Sequence, residues 1–249
     1  MAPEGRGYQG MWGGGYNNAQ AAVTPAAMSS AGGGIGGVVM FYQLDPERFN
    51  CAGLFNLVCQ YGNVSKVCFL KNKEGCAMVE MGDAASADRV LSNLNHTVIF
   101  DAKVTIERSR KPYIEDIRKP HQLADGSESY CNYTASRQNR FATPERAAKN
   151  RFIPPTKVLH FYNVPKMTDD ELTSLFTEVG AAYPARIKWF EAKSSGSKSV
   201  TGLVEFETVS EACEALVLVN HAKVNKGSSE QAGHYEMKLC FSKASNIGE

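Results

Sequence analysis

The sequence predicts an α+β fold of two ferredoxin-like sandwiches in tandem, each a βαββαβ unit with two helices on one face of a four-stranded antiparallel sheet. Three observations point there. A short strand signature occurs twice, as V-V-M-F-Y-Q-L-D-P over Val38–Pro46 and as T-K-V-L-H-F-Y-N-V-P over Thr156–Pro165. Each copy is followed by the same succession of periodicities: helix, strand, strand, helix, strand. In both copies the alternation sets Val39 and Phe41, or Leu159 and Phe161, apart from Met40 and Tyr42, or His160 and Tyr162. A strand that buries one face and shows rings and thioethers on the other suggests a platform on which nucleobases stack. The competing reading is a strand buried on both sides.

A chain of 249 residues has room for two domains of ordinary size, and an apolar fraction of 43% suits a soluble globular protein. No apolar run approaches the roughly 18 residues of a membrane span, and the first residues lack the pattern of a secretory signal. The expectation is an intracellular protein that engages no membrane. The seven cysteines include no C-x-x-C pair, so neither a metal site, another cofactor nor a disulfide framework is expected. The net charge of +1 excludes a nucleic-acid binder working by bulk charge alone, although local patches can still attract phosphate. Residues 111–155 hold the positive excess, with 8 basic and 5 acidic side chains.

Residues 1–37 contain 11 of the 22 glycines and almost no charge, and read as a disordered segment. Their single G-x-G-x-x-G, Gly32–Gly37, precedes a strand, whereas a dinucleotide fingerprint follows one. The first unit spans residues 38–110. Asn50 caps a helix reaching about Gln60 with Leu54, Leu57 and Val58 inward, and Val64–Leu70 is a strand with Val67 and Phe69 on the core side. A turn at Asn72–Gly75 leads to the strand Cys76–Met81. Asp83 caps a helix with Ala87, Val90, Leu91 and Leu94 inward, and Val104 and Ile106 mark the last strand. The face opposite the helices is expected to stay open.

In residues 111–155, Thr143-Pro144-Glu145 followed by Arg146–Asn150 reads as a capped short helix over about 144–150. The second unit spans 156–249. Thr168–Glu171 is a capping box opening a helix with Leu172, Leu175, Phe176 and Val179 inward. Arg186–Phe190 and Val200–Phe206 are strands joined by a mobile hairpin at Ser194–Ser199. Ser210 caps a helix with Ala212, Ala215, Leu216 and Val219 inward, and Tyr235–Phe241 closes the unit.

Two helices also carry apolar residues off their inward stripes: Phe55 and Cys59 in the first unit, Cys213, Val217 and Leu218 in the second. Such complementary patches predict that the units dock back to back through their helices.

The strands at Val39–Leu44 and Glu74–Met81, and at Leu159–Val164 and Ser199–Phe206, occupy the places of the hexamer and octamer of an RNA recognition motif. Usual stacking aromatics are replaced by Met40, Cys76 and Met78 in one copy and by His160, Thr201 and Leu203 in the other. Binding should therefore rest on smaller apolar contacts and hydrogen bonds from strand ends and loops. With V-V-M-F-Y-Q-L, Y-G-N-V, A-M-V-E-M, N-R-F-A-T-P-E-R-A-A-K-N and K-L-C-F-S, residues 38–249 resemble the last two RNA recognition motifs of the heterogeneous nuclear ribonucleoprotein L family. They are more distantly similar to the polypyrimidine-tract-binding protein. The resemblance implies a nuclear, nucleoplasmic regulator of pre-mRNA splicing that binds CA-rich single-stranded RNA and meets other splicing factors, with no small-molecule substrate. It also implies that this chain corresponds to part of a four-motif protein.

Carried over by position, the RNA face is Met40, Tyr42, Leu70, Lys71, Cys76 and Met78 in the first unit, and His160, Tyr162, Lys188, Phe190, Thr201 and Leu203 in the second. The aliphatic members could instead form a patch covered by the linker or by a protein, and Lys188 could be a solvated charge. No nucleophile-base motif or phosphate loop argues for an enzyme. A protein-binding module is the third reading.

Overall fold

The computed structural model describes residues 37–191, 199–224 and 235–248. The glycine-rich start, up to residue 36, and the hairpin expected at 194–199, Ser199 excepted, lie outside the described residues.

The first unit follows the order β1 (Val38–Tyr42), α1 (Cys51–Val58), β2 (Val64–Phe69), β3 (Ala77–Met81) and α2 (Ala84–Leu94). A small hairpin of β4 (Val98–Ile99) and β5 (Ala102–Lys103), not anticipated from sequence, then leads into β6 (Thr105–Arg108). The residues between the units add β7 (Tyr130–Asn132) and α3 (Pro144–Lys149). The second unit consists of β8 (Val158–Val164), α4 (Asp169–Thr177), β9 (Arg186–Trp189), β10 (Val200–Glu205), α5 (Val209–Val219), β11 (Lys223–Val224), β12 (Tyr235–Glu236) and β13 (Lys238–Phe241). The sheets run β6-β1-β3-β2-β7 and β13-β8-β10-β9, antiparallel throughout. The first therefore has a fifth strand, drawn from residues read as linker and pairing with the edge of β2.

Polar side chains fix where the helices begin by accepting from otherwise unpaired first-turn amides. Asn50 accepts from the Gly53 amide at 2.8 Å, and Asp83 from that of Ser86 at 2.6 Å. Thr168 and Glu171 form the expected capping box. Two expectations need correction. Thr208, not Ser210, caps α5, its hydroxyl 3.1 Å from the Glu211 amide. Val179 is 48% exposed rather than inward, because α4 stops at Thr177 and the chain turns through Gly180 at φ +79°.

The duplication reaches the backbone. Gln43, just after β1, and Asn163, next to last in β8, have φ +63° and +59°, and His96 and His221 follow the second helices at +66° and +68°. Gly202 in β10 is a packing requirement: a Cβ there would lie 2.3 Å from the Lys188 carbonyl and 2.6 Å from Phe161. Its absence lets Trp189 pack edge-on against Phe161, with centroids 4.9 Å apart.

Buried side chains of the two units form one continuous apolar cluster, and α1 and α5 pack against each other. Phe55, Cys59, Cys213 and Val217 are buried there, and Leu218 is half-buried. Gly53 permits the approach, since a Cβ would stand 2.9 Å from Val217 Cγ1. The contact also holds a buried polar seam that the apolar reading missed. Asn56 Nδ2 donates to the Val217 carbonyl at 2.9 Å, Gln60 Nε2 to that of Leu239 at 3.3 Å, and Asn220 Nδ2 to that of Asn56 at 3.3 Å. Asn56 Oδ1 lies 2.8 Å from His221 Nδ1. Because the amide nitrogen of Asn56 is donating, its oxygen accepts, so His221 carries its proton on Nδ1. Burial, followed by the charges of Lys238 and Arg140, brings the His221 pKa down to about 3, so the ring is neutral.

Candidate nucleic-acid interface

Strand register aligns the candidate side chains in rows across each sheet. In the first unit one row reads Glu107, Met40, Met78, Cys68 and Tyr130, over β6, β1, β3, β2 and β7. In the second the corresponding row reads Cys240, His160, Leu203 and Lys188, over β13, β8, β10 and β9. All lie on the side away from the helices, because Phe41, Val79, Phe161 and Val204 alternate with them into the core. Two residues beyond Met40 along β1, Tyr42 pairs with Thr105 and its hydroxyl meets Glu107. Met40, Tyr42, Leu70, Cys76 and Met78 are half-exposed, and Lys71, two residues past β2, is exposed.

The second face is richer in rings. The His160 centroid lies 5.6 Å from Tyr162 and 5.9 Å from Phe190, which is itself 40% exposed. Thr201 donates its one hydroxyl proton to the Phe161 carbonyl at 2.7 Å, so its oxygen accepts from His160 Nε2, also at 2.7 Å. That fixes the tautomer: Nε2 carries the proton, and Nδ1 is left as an acceptor with Cys240 Sγ 4.0 Å away. Burial, reinforced by the charge of Arg140, lowers the His160 pKa and keeps the ring neutral. Lys188 is exposed at the end of its row, and Leu203 and Thr201 are half-buried.

The faces are not fully open as expected. In each unit a residue following the last strand folds back over the next row, and the two units do this with the same chemistry. Ile114, 2% exposed, donates its amide to Glu80 Oε2 at 2.7 Å and accepts from Lys66 Nζ at 2.7 Å. Ile247, 5% exposed, donates its amide to Glu205 Oε2 at 2.8 Å and accepts from Arg186 Nη1 at 3.0 Å. Glu80 pairs across the strands with Val38 and Lys66, and Glu205 with Val158 and Arg186, so the two roofs cover equivalent rows. Ile114 packs with Val38, Cys68 and Tyr130, against which Met78 also leans. Asp116 braces this roof, 3.0 Å from Lys66 and 2.5 Å from the Tyr130 hydroxyl; those bonds hold its carboxyl below the usual range. At Glu205 burial pushes the pKa up, but Lys157 at 2.7 Å, the Ile247 amide and Arg186 outweigh it and bring it down.

Sequence reading missed Tyr130, both isoleucine roofs and Arg140. Glu80 and Glu205 share one octamer position opposite a cation on the neighbouring strand, and that coincidence was a readable signal. Arg140 offered none: its guanidinium bonds Gln60 Oε1 and Asn150 Oδ1 and reaches Cys240 beside the second face.

Comparison with known sequences supplies the deciding observation: the RNA recognition motif matches residues 13–136, and an RNA recognition motif domain matches 149–246. The chain belongs to the RNA recognition motif family. Within it, heterogeneous nuclear ribonucleoprotein L of Homo sapiens is 42% identical over 208 residues, covering 83% of this chain and 34% of that protein. Polypyrimidine tract-binding protein homolog 3 of Arabidopsis thaliana is 32% identical over 221 residues, covering 84% and 47%. The chain spans about a third of the ribonucleoprotein L length. Among solved structures, Sex-lethal RNA recognition domains 1 and 2 from Drosophila melanogaster align at 16% identity and a TM-score of 0.25, over 72% of this chain and 90% of that one. The kinship drawn from the V-V-M-F-Y-Q-L and N-R-F-A-T-P-E-R-A-A-K-N runs is therefore established, and the two recognition motifs carry the rows described above.

Proposed function

We propose that the chain binds single-stranded RNA on both sheet faces and acts in pre-mRNA splicing in the nucleoplasm, on CA-rich elements and alongside other splicing factors. The observation that carries the reading is the part of each row that its roof leaves half-exposed. Met40 and Met78 beside Tyr42, and His160 and Leu203 beside Tyr162 and Phe190, form soft or aromatic surface flanked by exposed Lys71 and Lys188. Bases stack on such surfaces while cations meet the phosphates. Leu70, Cys76 and Thr201 complete the two contact sets. Each roof confines a strand to the central rows, so each motif grips a short footprint and affinity comes from engaging both.

The preference for CA-rich RNA and the splicing role rest on kinship with ribonucleoprotein L. The neutral His160, whose Nδ1 can accept from an exocyclic amino group, suits adenine or cytosine and supports that preference. Packing of α1 on α5 supports a pair whose faces point apart, so that one RNA reaching both must loop.

Fluorescence anisotropy would test this with a CA-repeat RNA carrying two spaced sites, a uridine-only RNA of equal length and a single-site RNA. The two-site CA strand should bind at least tenfold more tightly than either control. Equal affinity for the uridine strand would remove the CA preference, and equal affinity for the single site would remove looping. Binding to none of the three would favour a protein-interaction module.

A further inference from the structure

We propose that Cys51 and Cys131 form an oxidisable dithiol, a modification site at which a hydroperoxide staples the fifth strand to the first helix. Cys51 is the first residue of α1 and is 2% exposed. Its Sγ lies 3.4 Å from the Glu128 carbonyl and 3.9 Å from that of Val67. Cys131, in β7, stands directly across the strand pairing from Val67. Outward Tyr130 precedes it and exposed Asn132 follows it, so Cys131 turns inward beneath the sheet, toward the thiol of Cys51. Cys51 belongs to the apolar core against which Cys131 packs. Cys131 is half-buried, so a small oxidant can reach it while the resolving thiol waits beneath.

The electrostatics agree with that division of labour. The neighbouring Cys51 thiol and then the Tyr133 hydroxyl lower the Cys131 pKa against the effect of burial, whereas Cys131 together with burial raises that of Cys51. Cys131 is thus the thiolate and Cys51 the proton donor. Cys59 and Cys213 are buried, and burial pushes both thiols up to about 12, which leaves them inert.

The chemistry balances with one equivalent of hydrogen peroxide. The Cys131 thiolate attacks one peroxide oxygen, the O–O bond breaks, and the sulfenic acid forms as hydroxide leaves. Cys51, giving up its proton, attacks that sulfur and expels a second hydroxide. Two thiols and one peroxide become one disulfide and two waters. The strand so fixed is an edge strand held by three residue pairs, and it carries Tyr130, one side of the Ile114 roof. Oxidation therefore locks the outer rim of the first recognition surface.

The test treats the full chain with one equivalent of hydrogen peroxide near pH 7.5, blocks free thiols with N-ethylmaleimide, and maps cross-linked peptides by non-reducing mass spectrometry. A Cys51–Cys131 peptide should dominate, and hydrogen exchange at the Tyr130–Asn132 amides should slow at least tenfold. Cys131→Ser should abolish the cross-link, and Cys76→Ser with Cys240→Ser should leave it intact. In the reduced protein, alkylation of Cys131 should show a midpoint at least one pH unit below the ~8.5 of free cysteine. A cross-link joining other cysteines, overoxidation of Cys131 without a cross-link, or no reaction at either residue would each overturn the proposal. None of these readouts depends on RNA.

Discussion

Asn56→Ala should separate the two recognition motifs without unfolding either. The Asn56 side chain is 7% exposed and makes two contacts across the α1–α5 seam, to the Val217 carbonyl and to His221 Nδ1. Truncation leaves a buried acceptor and a buried donor without partners, each costing about 1–3 kcal/mol, so the seam loses about 2–6 kcal/mol. That loss is borne by the inter-unit contact alone, because the Asn56 carbonyl and its helix are untouched. NMR relaxation would read it as a fall in rotational correlation time toward that of single motifs, with chemical shifts on the sheet faces unchanged. Denaturant unfolding should change from one transition to two. If the variant tumbles as the parent does and loses less than about 0.5 kcal/mol, the polar seam does not hold the units together, and the looping mechanism loses its rigid pair.

Acid should loosen the same contact. The His221 pKa is about 3 in the folded pair against 6.5 for the free side chain, so below pH 6.5 the separated state binds a proton that the docked state does not. Stability is full above pH 6.5, falls by about 2 kcal/mol between pH 6.5 and 5, and levels off below pH 3; His221→Gln should flatten that slope in pH-dependent melts. His160 titrates with the same sign, its pKa also being lowered, so the comparison belongs in a His160→Gln background. Tyr42→Ala and Tyr162→Ala should each weaken RNA binding by roughly 1–3 kcal/mol with little change in melting temperature, measured by anisotropy and calorimetry; a large melting loss at unchanged affinity would place the rings in a core. Val217→Glu with Leu218→Glu should release the units as Asn56→Ala does, since it thrusts a carboxylate against Gly53. Glu205→Ala should detach Ile247 and cost about 1.5–3 kcal/mol for the lost charge-assisted bonds, seen as faster exchange of the Ile247 amide.

The regular part of this fold was legible because each element obeys one period and one cap. Asn50, Asp83, Thr143 and Thr168 all cap where their side-chain chemistry says they should. The failures have equally local causes. Ser210 and Thr208 are both competent caps two residues apart, and sequence cannot rank them. Val179 fits the helical period but falls two residues past Thr177, where the helix has already ended. The candidate site was legible as a register, because Met40, Met78, His160 and Leu203 follow from alternation once the strands are placed. The roofs were not, because Ile114 and Ile247 lie in stretches without period and are fixed by tertiary bonds to Glu80 and Glu205. The seam was hidden for a related reason: Asn56 and Asn220 look like surface residues until each is seen to bond across the gap.

The connector between the motifs behaves as part of the first one. Besides β7 and Ile114, Asn139 takes the place of a strand neighbour for Val64, accepting from its amide at 2.8 Å and donating to its carbonyl at 3.0 Å. Phe141 donates its amide to Asn63 at 3.0 Å, and the Tyr61 hydroxyl reaches the Ile153 carbonyl at 3.0 Å. A fragment ended at Arg110, where the repeating pattern stops, would strip the β2 edge and leave Glu80, Lys66 and the Val64 amide facing water or each other. Expressed alone, the first motif should need the chain through at least Ile153 to be monomeric, whereas the shorter piece should pair edge to edge with copies of itself. The natural place to cut is thus on the doorstep of the second motif, at the two prolines Pro154 and Pro155.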